Sequence, residues 1–199
     1  MSCSRDANAE TVFISAYNDP LVIAGATTVL DEIVDQRPSG GALAVLVPAS
    51  GGGLLAGLAL RASQLTSDAA PITIIGIEVA NSPAMSAALE AGHAVEVPVL
   101  DTIADGLAGN IESGSVTIDL IRGRVEGILA VTEAEIHSAL RFLASEHGLI
   151  AEGAGAATLA ALLSGKIQAT EGDVVVIVSG RNIALPKLAS VYAETETIG

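Results

Sequence analysis

Residues 43–57 read LAVLVPASGGGLLAG, an apolar run followed by a glycine-rich turn and a second apolar run with helical spacing. This order predicts a buried strand that leads through a tight turn into a helix. Backbone amides at such a helix start are free to bind an anion, and glycines let the ligand approach the backbone closely. Ser50 adds a hydroxyl donor to this candidate anion site.

The glycine-rich turn alone leaves two explanations open. Glycine is also selected where a helix packs closely on a neighbouring element, so Gly51, Gly52 and Gly53 do not by themselves establish an anion site. Nucleotide-binding loops are disfavoured, because no Gly-Lys-Ser/Thr follows and the glycines are contiguous rather than spaced as GxGxxG. An unrelated nucleotide-binding α/β domain is therefore the least favoured class.

Short runs rich in valine and isoleucine alternate with longer segments of helical spacing. This alternation is typical of an α/β protein and predicts a three-layer fold, with helices on both faces of a mostly parallel sheet. Thr132 followed by Glu135 predicts a capping box, and Gly148 predicts the end of that helix. Residues 1–199 are predicted to form a single α/β domain. The predicted strands are residues 11–15, 42–47, 72–78, 128–131 and 174–178, and the predicted helices are residues 20–36, 53–65, 82–91, 116–122, 133–147, 154–164 and 185–192.

The composition limits the classes of partner. Nine basic and 23 acidic residues give a formal net charge of −14, which disfavours nucleic acid and anionic membrane surfaces. No stretch approaches the roughly 18 consecutive apolar residues of a membrane helix, and the first residues lack the layout of a signal peptide. The single cysteine, Cys3, cannot form an intramolecular disulfide. The sequence therefore predicts a cytoplasmic protein without nucleic acid or membrane partners.

Six segments resemble the threonine/serine dehydratase (ammonia-lyase) branch of the fold-type II pyridoxal-phosphate enzymes, and they follow one another along the chain in the order found in that family. Residues 48–54 resemble the family's tetraglycine phosphate loop, with Ser50 in place of the first glycine. Arg181 departs from the family in a later motif, where it replaces a glycine. The resemblance implies that this chain forms the C-terminal part of the family fold. The other matching segments are residues 17–25, 76–78, 102–108, 151–157 and 178–183.

The resemblance implies pyridoxal 5'-phosphate as the cofactor and gives several residues a role. Ser179 takes the position whose hydroxyl bonds the pyridine nitrogen, and a neutral partner there leaves that nitrogen largely unprotonated, which favours elimination of a β-leaving group. Gly106 and Leu107 would back the cofactor ring. Glu152 either approaches the cofactor or places a charge at a helix start. The implied cofactor-binding residues are Ser50, Gly51, Gly52, Gly53, Leu54, Gly106, Leu107, Glu152 and Ser179.

Catalysis in the family requires a lysine that forms an internal Schiff base, and that lysine precedes the segment resembling residues 17–25. None of the residues before that segment is lysine here. The N-terminal catalytic-lysine segment is therefore expected to be absent, and no catalytic residue is assigned. The two lysines of the chain, Lys166 and Lys187, are predicted to be structural or surface residues.

No metal site is predicted. His93, His137 and His147 are spaced too irregularly for a ligand set. Glu78 occupies a position that contributes to a divalent cation site in some racemase-like relatives. Ala84, however, stands where those relatives have a carboxylate.

Two functional hypotheses follow from the resemblance. In the first, a complementary N-terminal chain or upstream sequence completes a lyase that converts a small hydroxy-amino acid, threonine or serine, to a 2-oxo acid and ammonia. In the second, the chain is a catalytically inactive remnant that acts as a phosphate- or pyridoxal-phosphate-binding module or as an interaction module. Removing half of a doubly wound fold exposes apolar faces, so a homo-oligomer is the alternative to a complementary chain.

Overall fold

A sheet of four parallel strands lies at the centre of the computed structural model, which describes residues 12–37, 40–65, 70–167 and 172–193. The strand order is β3-β2-β1-β4, so the first strand of the chain is central and the last is its neighbour. The strands are β1 Ala42–Pro48, β2 Ile72–Val79, β3 Gly127–Val131 and β4 Gly172–Val176.

Strand β1 is hydrogen-bonded along both of its edges and buried on both of its faces. It pairs in parallel with β2, where Leu43 lies opposite Ile72, and with β4, where Ala42 lies opposite Gly172. Alternate side chains contact opposite layers, since Val45 belongs to one apolar cluster and Leu46 to the other. The unbroken apolar run in this segment is what a strand buried on both faces requires.

Helices cover both faces of the sheet, which confirms the predicted three-layer α/β architecture. Helices α1 to α4 pack around one apolar cluster, and α5 to α7 pack around the other. No helix within the described ranges is long and apolar enough to cross a membrane. The helices are α1 Pro20–Gln36, α2 Gly53–Leu65, α3 Ala84–Ala91, α4 Thr117–Ile121, α5 Glu133–His147, α6 Gly153–Leu163 and α7 Leu185–Ala193, with a 3-10 turn at Asp105–Leu107.

Local hydrogen bonds fix the ends of α5 as the sequence predicted. The Glu135 N–H donates to Thr132 Oγ1, and the Thr132 N–H donates to Glu135 Oε2 at 2.7 Å. This reciprocal pair is a capping box. Gly148 ends the helix with a φ of 63°, in the left-handed region that glycine adopts readily.

The strand predicted at residues 11–15 is wrong for residues 12–15, and residue 11 lies outside the described residues. Val12, Phe13 and Ile14 are 82%, 72% and 62% exposed and belong to no strand of the described sheet. Their apolar and β-branched character suits a strand, but a strand persists only where a neighbouring edge accepts its hydrogen bonds.

Smaller differences occur at the ends of elements. The helix predicted from residue 82 begins at Ala84, because Ser82 forms an isolated bridge with Val79. Strand β4 ends at Val176 rather than at residue 178. The chain after Val176 leaves the sheet near the ends of the other strands.

A buried carboxylate at the end of β2 caps α3. Glu78 is 3% exposed, and its Oε2 accepts hydrogen bonds from the N–H groups of Met85 at 3.1 Å and Ser86 at 3.2 Å. The Ser86 hydroxyl donates to the other carboxylate oxygen. Burial raises the pKa of Glu78 above its ordinary value, and the bonds from Ser86 and Met85 offset only part of that increase.

We expect Gly57→Ala to destabilise the protein and Gly25→Ala to stabilise it. An added Cβ at Gly57, in α2, would lie 2.7 Å from the Ala26 Cβ and 2.8 Å from the Ile23 carbonyl oxygen, so α1 and α2 would have to separate. This overpacking should lower the free energy of unfolding by about 1–3 kcal/mol. At Gly25, in α1, nothing lies within 4 Å, so alanine should add about 0.5–1 kcal/mol through helix propensity. Urea denaturation measures the free energy of unfolding of both variants. Equal effects of the two substitutions would contradict the close packing of α1 on α2.

The pH dependence of stability should differ in sign between Glu78 and Glu135. Because the folded pKa of Glu78 is raised, its contribution to stability is largest below pH 4.5 and falls as the pH rises through the folded pKa. Partial burial raises the pKa of Glu135, but hydrogen bonds from Lys166 and Thr132 outweigh burial and hold the pKa below 4.5. The contribution of Glu135 is therefore lost as the pH falls below 4.5.

Urea denaturation across this pH range should show that Glu78→Gln removes the decrease in stability on the alkaline side of pH 4.5. Glu135→Gln, as the matched control, should remove a decrease on the acidic side. Identical pH profiles for the two variants would show that these carboxylates do not have the environments described.

Candidate functional site

Three connecting segments meet at one edge of the sheet, because the carboxyl ends of parallel strands lie on the same side. Residues 49–52 follow β1, residues 80–83 follow β2, and residues 177–184 follow β4. Residues 49–52 lead directly into α2, so the amino end of that helix lies at the same edge. Ligands of open α/β sheets bind at this edge.

The glycine loop, residues 49–54, makes a tight turn between β1 and α2. Gly52 has a φ of 90°, and its N–H donates to the Ala49 carbonyl oxygen at 2.7 Å. Ser50 has a φ of 42°, and among the described residues it is the one non-glycine with a positive φ. A serine is strained in this left-handed region because its Cβ crowds the backbone. Contacts with the rest of the protein must therefore maintain the turn.

Several backbone amides of the glycine loop have no acceptor. The N–H groups of Ser50, Gly51, Gly53 and Leu54 donate to no atom in the described part of the chain, and Gly53 is buried. Unpaired buried amides are rare in proteins unless a ligand or water accepts the bond. With the positive end of the α2 dipole, these amides form a site that suits a phosphate group.

The glycines of the loop are required by packing within the protein. A Cβ at Gly51 would lie 2.5 Å from the Tyr17 ring, and one at Gly53 would lie 2.7 Å from the Tyr17 Cα. A Cβ at Gly52 would lie 2.8 Å from the Thr117 side chain. The space beside the three glycines is therefore filled by protein, as the packing explanation requires, while the amides of Gly51 and Gly53 remain unpaired. Sequence reasoning assigned no role to Tyr17 or Thr117.

Tyr17 links the glycine loop to the segment before α4. The Glu112 N–H donates to the Tyr17 hydroxyl oxygen at 3.1 Å. Burial raises the pKa of Tyr17, the bond from the Glu112 backbone lowers it, and the charge of the Glu112 carboxylate raises it, so the pKa lies above its ordinary value. The hydroxyl therefore stays protonated, and the aromatic ring is held at both ends.

The predicted ring-backing residues lie beside the glycine loop. Gly106 is in the 3-10 turn, and its carbonyl oxygen accepts a hydrogen bond from Ser50 Oγ at 3.1 Å. A Cβ at Gly106 would lie 3.0 Å from the Ala154 Cβ, so this turn also packs on the start of α6. Leu107 is buried in the apolar cluster under α5 and α6. The structure thus brings three of the sequence motifs together.

Glu152 and Ser179 belong to the same region. The Glu152 N–H donates to the Gly180 carbonyl oxygen at 3.1 Å, and the space of a Gly180 Cβ is occupied by the Glu152 carboxylate. Glu152 precedes α6, but its side chain makes no capping bond to the helix amides. Ser179 is exposed, and its hydroxyl has no hydrogen-bond partner in the described ranges. Both side chains are thus available near the carboxyl ends of β1 and β4.

A cleft of about 300 Å³ opens beside these motifs. Lys187 lies in its wall, with Nζ 3.0 Å from Asp105 Oδ2. Lys166 does not line this cleft and pairs with Glu135 Oε2 at 2.7 Å. Each lysine of the chain is therefore engaged in an ion pair. The residues that line the cleft are Ile103, Asp105, Glu152, Asn182, Ile183, Ala184 and Lys187.

The residues considered as metal ligands do not lie close enough together to bind one ion. In the part of the chain that the structure describes, no three His, Cys, Asp or Glu side chains could hold one ion. Glu78 directs its carboxylate at the amino end of α3, as described above.

Comparison with known proteins connects this geometry to a family. The family model described as pyridoxal-phosphate-dependent enzyme matches residues 3–180. The chain is 37% identical to the L-threonine ammonia-lyase of Thermotoga maritima over 86% of this chain and 41% of that protein. It is 34% identical to the catabolic L-threonine dehydratase of Escherichia coli over 90% of this chain and 54% of that protein. The chain thus spans about half the length of these curated relatives.

Solved structures show the same similarity. Maize serine racemase superimposes with a TM-score of 0.78 and 30% identity, over 92% of this chain and 55% of that one. The processed form of threonine deaminase isoform 2 from Solanum lycopersicum superimposes with a TM-score of 0.77 and 30% identity, over 89% of this chain and 51% of that one. The fold and the family model together show that the chain belongs to the family of pyridoxal-phosphate-dependent enzymes, and the relatives it matches include threonine dehydratases.

Proposed function

We propose that this chain supplies the cofactor-binding half of a cytoplasmic pyridoxal-phosphate-dependent threonine/serine dehydratase. Other polypeptide sequence would provide the Schiff-base lysine and complete the active site. The observation that carries the proposal is the set of unpaired amides at Gly53 and Leu54, at the amino end of α2. A dianionic phosphate is the group in the cofactor that such amides bind best.

In this proposal, each chemical group of the cofactor would have a partner among the described residues. The loop at residues 50–54 would hold the phosphate, because the amides of Ser50, Gly51, Gly53 and Leu54 are free and the helix dipole favours negative charge. The turn that contains Gly106 would face the ring, since Ser50 ties it to the phosphate loop. The free Ser179 hydroxyl would bond the pyridine nitrogen. Glu152 would lie beside the ring, because its carboxylate packs against Gly180.

The chemistry of the complete enzyme would be loss of water from threonine or serine, followed by addition of water to the resulting imine, which releases ammonia and a 2-oxo acid. Bound pyridoxal phosphate supplies the electron sink that stabilises negative charge at the substrate α-carbon. The described chain would orient the cofactor and exclude water from one side of the ring. We assign no proton-transfer residue to it, because Lys187 and Lys166 are paired with Asp105 and Glu135.

A second candidate is a non-catalytic module that binds pyridoxal phosphate or another chain. Exposed apolar side chains favour it, since Leu185 is 77% exposed beside the cleft and Leu149 and Ile150 are 51% and 47% exposed before α6. Such side chains bind a partner in many proteins. In this second candidate function, a second copy of the chain would cover these side chains.

Titration of the purified chain with pyridoxal phosphate, with pyridoxal as the matched ligand without phosphate, tests the proposed cofactor site. We expect tighter binding of pyridoxal phosphate by at least about tenfold, since charge-assisted bonds to the phosphate contribute roughly 1.5–3 kcal/mol. Ser179→Ala should weaken both ligands equally, because it removes only the ring contact. Equal affinity for the two ligands in the wild-type chain would refute a phosphate site in the glycine loop.

Borohydride reduction followed by peptide mass spectrometry tests whether this chain provides the Schiff base. We expect no reduced pyridoxyl group on Lys166 or Lys187. Specific labelling of Lys187, lost in Lys187→Met and retained in Lys166→Met, would instead place a Schiff base in this chain. Release of 2-oxobutyrate from threonine only after an amino-terminal half is added would distinguish the complemented lyase from the non-catalytic module.

A further inference from the structure

The peptide group between Gly51 and Gly52 is held at both of its polar ends. The Gly51 carbonyl oxygen accepts a hydrogen bond from Thr117 Oγ1 at 2.8 Å, and the Gly52 N–H donates to the Ala49 carbonyl oxygen at 2.7 Å. Two consecutive glycines give the backbone wide conformational freedom. These two hydrogen bonds therefore restrict the part of the loop that would otherwise be most variable.

Thr117 is itself oriented by a network of polar side chains. Its hydroxyl lies 2.8 Å from Ser115 Oγ, and both residues are buried. Because the single hydroxyl proton of Thr117 is used for Gly51, Ser115 is the donor in this contact. Asn18 fixes the same segment, since its Oδ1 accepts from the Val116 N–H at 2.8 Å. The rotamer of Thr117 is therefore set by its hydrogen bonds to Ser115 and Gly51, within a segment that Asn18 holds in place.

Tyr17 closes the loop from the other side. Its ring occupies the space beside Gly51, and its backbone lies against Gly53. The bond from the Glu112 N–H to its hydroxyl joins it to the segment that carries Thr117. Ser15 Oγ also donates to Glu112 Oε1 at 3.2 Å. The glycine loop is thus enclosed between Tyr17 and Thr117.

We propose that Thr117 is a positioning residue that presets the amides of the glycine loop for the phosphate of the cofactor, through its hydrogen bond to the Gly51 carbonyl. The inference rests on the proposed function, because it assumes that this loop binds phosphate. The inference assigns a role to a residue that belongs to no sequence motif and lies more than sixty positions after the loop. The physical basis is preorganisation, since amides already aimed at an anion lose little freedom on binding it.

The test compares Thr117→Val with Thr158→Val. Both threonines are fully buried, and each donates its hydroxyl to a backbone carbonyl, Thr117 to Gly51 at 2.8 Å and Thr158 to Ile177 at 2.9 Å. The two variants should therefore lose similar stability. Thr158 has no contact with the glycine loop in the described hydrogen bonds, so it controls for a purely structural effect.

We expect Thr117→Val to weaken pyridoxal phosphate binding about fivefold while leaving pyridoxal binding unchanged. Thr158→Val should preserve the wild-type ratio of the two affinities, and Thr117→Ser, which retains the hydroxyl, should restore it. If the wild-type protein prefers pyridoxal phosphate and Thr117→Val has the same ratio of affinities for the two ligands, the positioning role is overturned. The proposed function then remains intact. A wild-type protein that does not prefer pyridoxal phosphate would overturn both.

Hydrogen exchange in the ligand-free protein gives a readout independent of the cofactor. Exchange of the Gly52 amide should be faster in Thr117→Val than in Thr158→Val, because the peptide group is then held at one end only. Equal exchange at Gly52 in the two variants would overturn the positioning role even if the affinity for pyridoxal phosphate falls.

Discussion

The pairing of β1 along both edges is the constraint on which the rest of the structure depends. Because β1 lies between β2 and β4, it is the strand most completely removed from solvent, and its end determines where the glycine loop begins. The same pairing brings the chain after β4 beside the chain after β1. Residues 179 and 180 thus lie near the loop because a central strand aligns two elements at opposite ends of the described chain.

The parts of the fold that were predicted correctly are those with a local signature. A strand buried on both faces needs an unbroken apolar run, so β1 was located to within one residue at Pro48. The capping box at Thr132 is likewise a short-range contact. Residues 12–15 had a similar apolar signature but no neighbouring strand, and neighbours cannot be read from local composition.

The residues of the candidate site also differ in whether adjacent sequence could predict them. The glycine loop and its helix could be predicted from adjacent residues, because a strand, a tight turn and a helix start are local features. Tyr17 and Thr117 could not, because each reaches the loop from a distant segment. One signal was present, since Tyr17 is one of two tyrosines in a chain with 2% aromatic residues. Whether the glycines serve packing or ligand access depends on contacts between distant segments. They pack closely against Tyr17 and Thr117, while the amides of Gly51 and Gly53 stay unpaired.

The position of β4 next to β1 has a consequence for how the protein is made. Ala42 pairs with Gly172, so the central strand acquires its second partner only after the whole segment between these two residues has been synthesised. Contacts between residues so far apart in sequence slow folding, because the intervening chain must first be ordered. Until then one edge of an entirely apolar strand remains open to other nascent chains. Production of this protein therefore depends on the interval between synthesis of β1 and synthesis of β4.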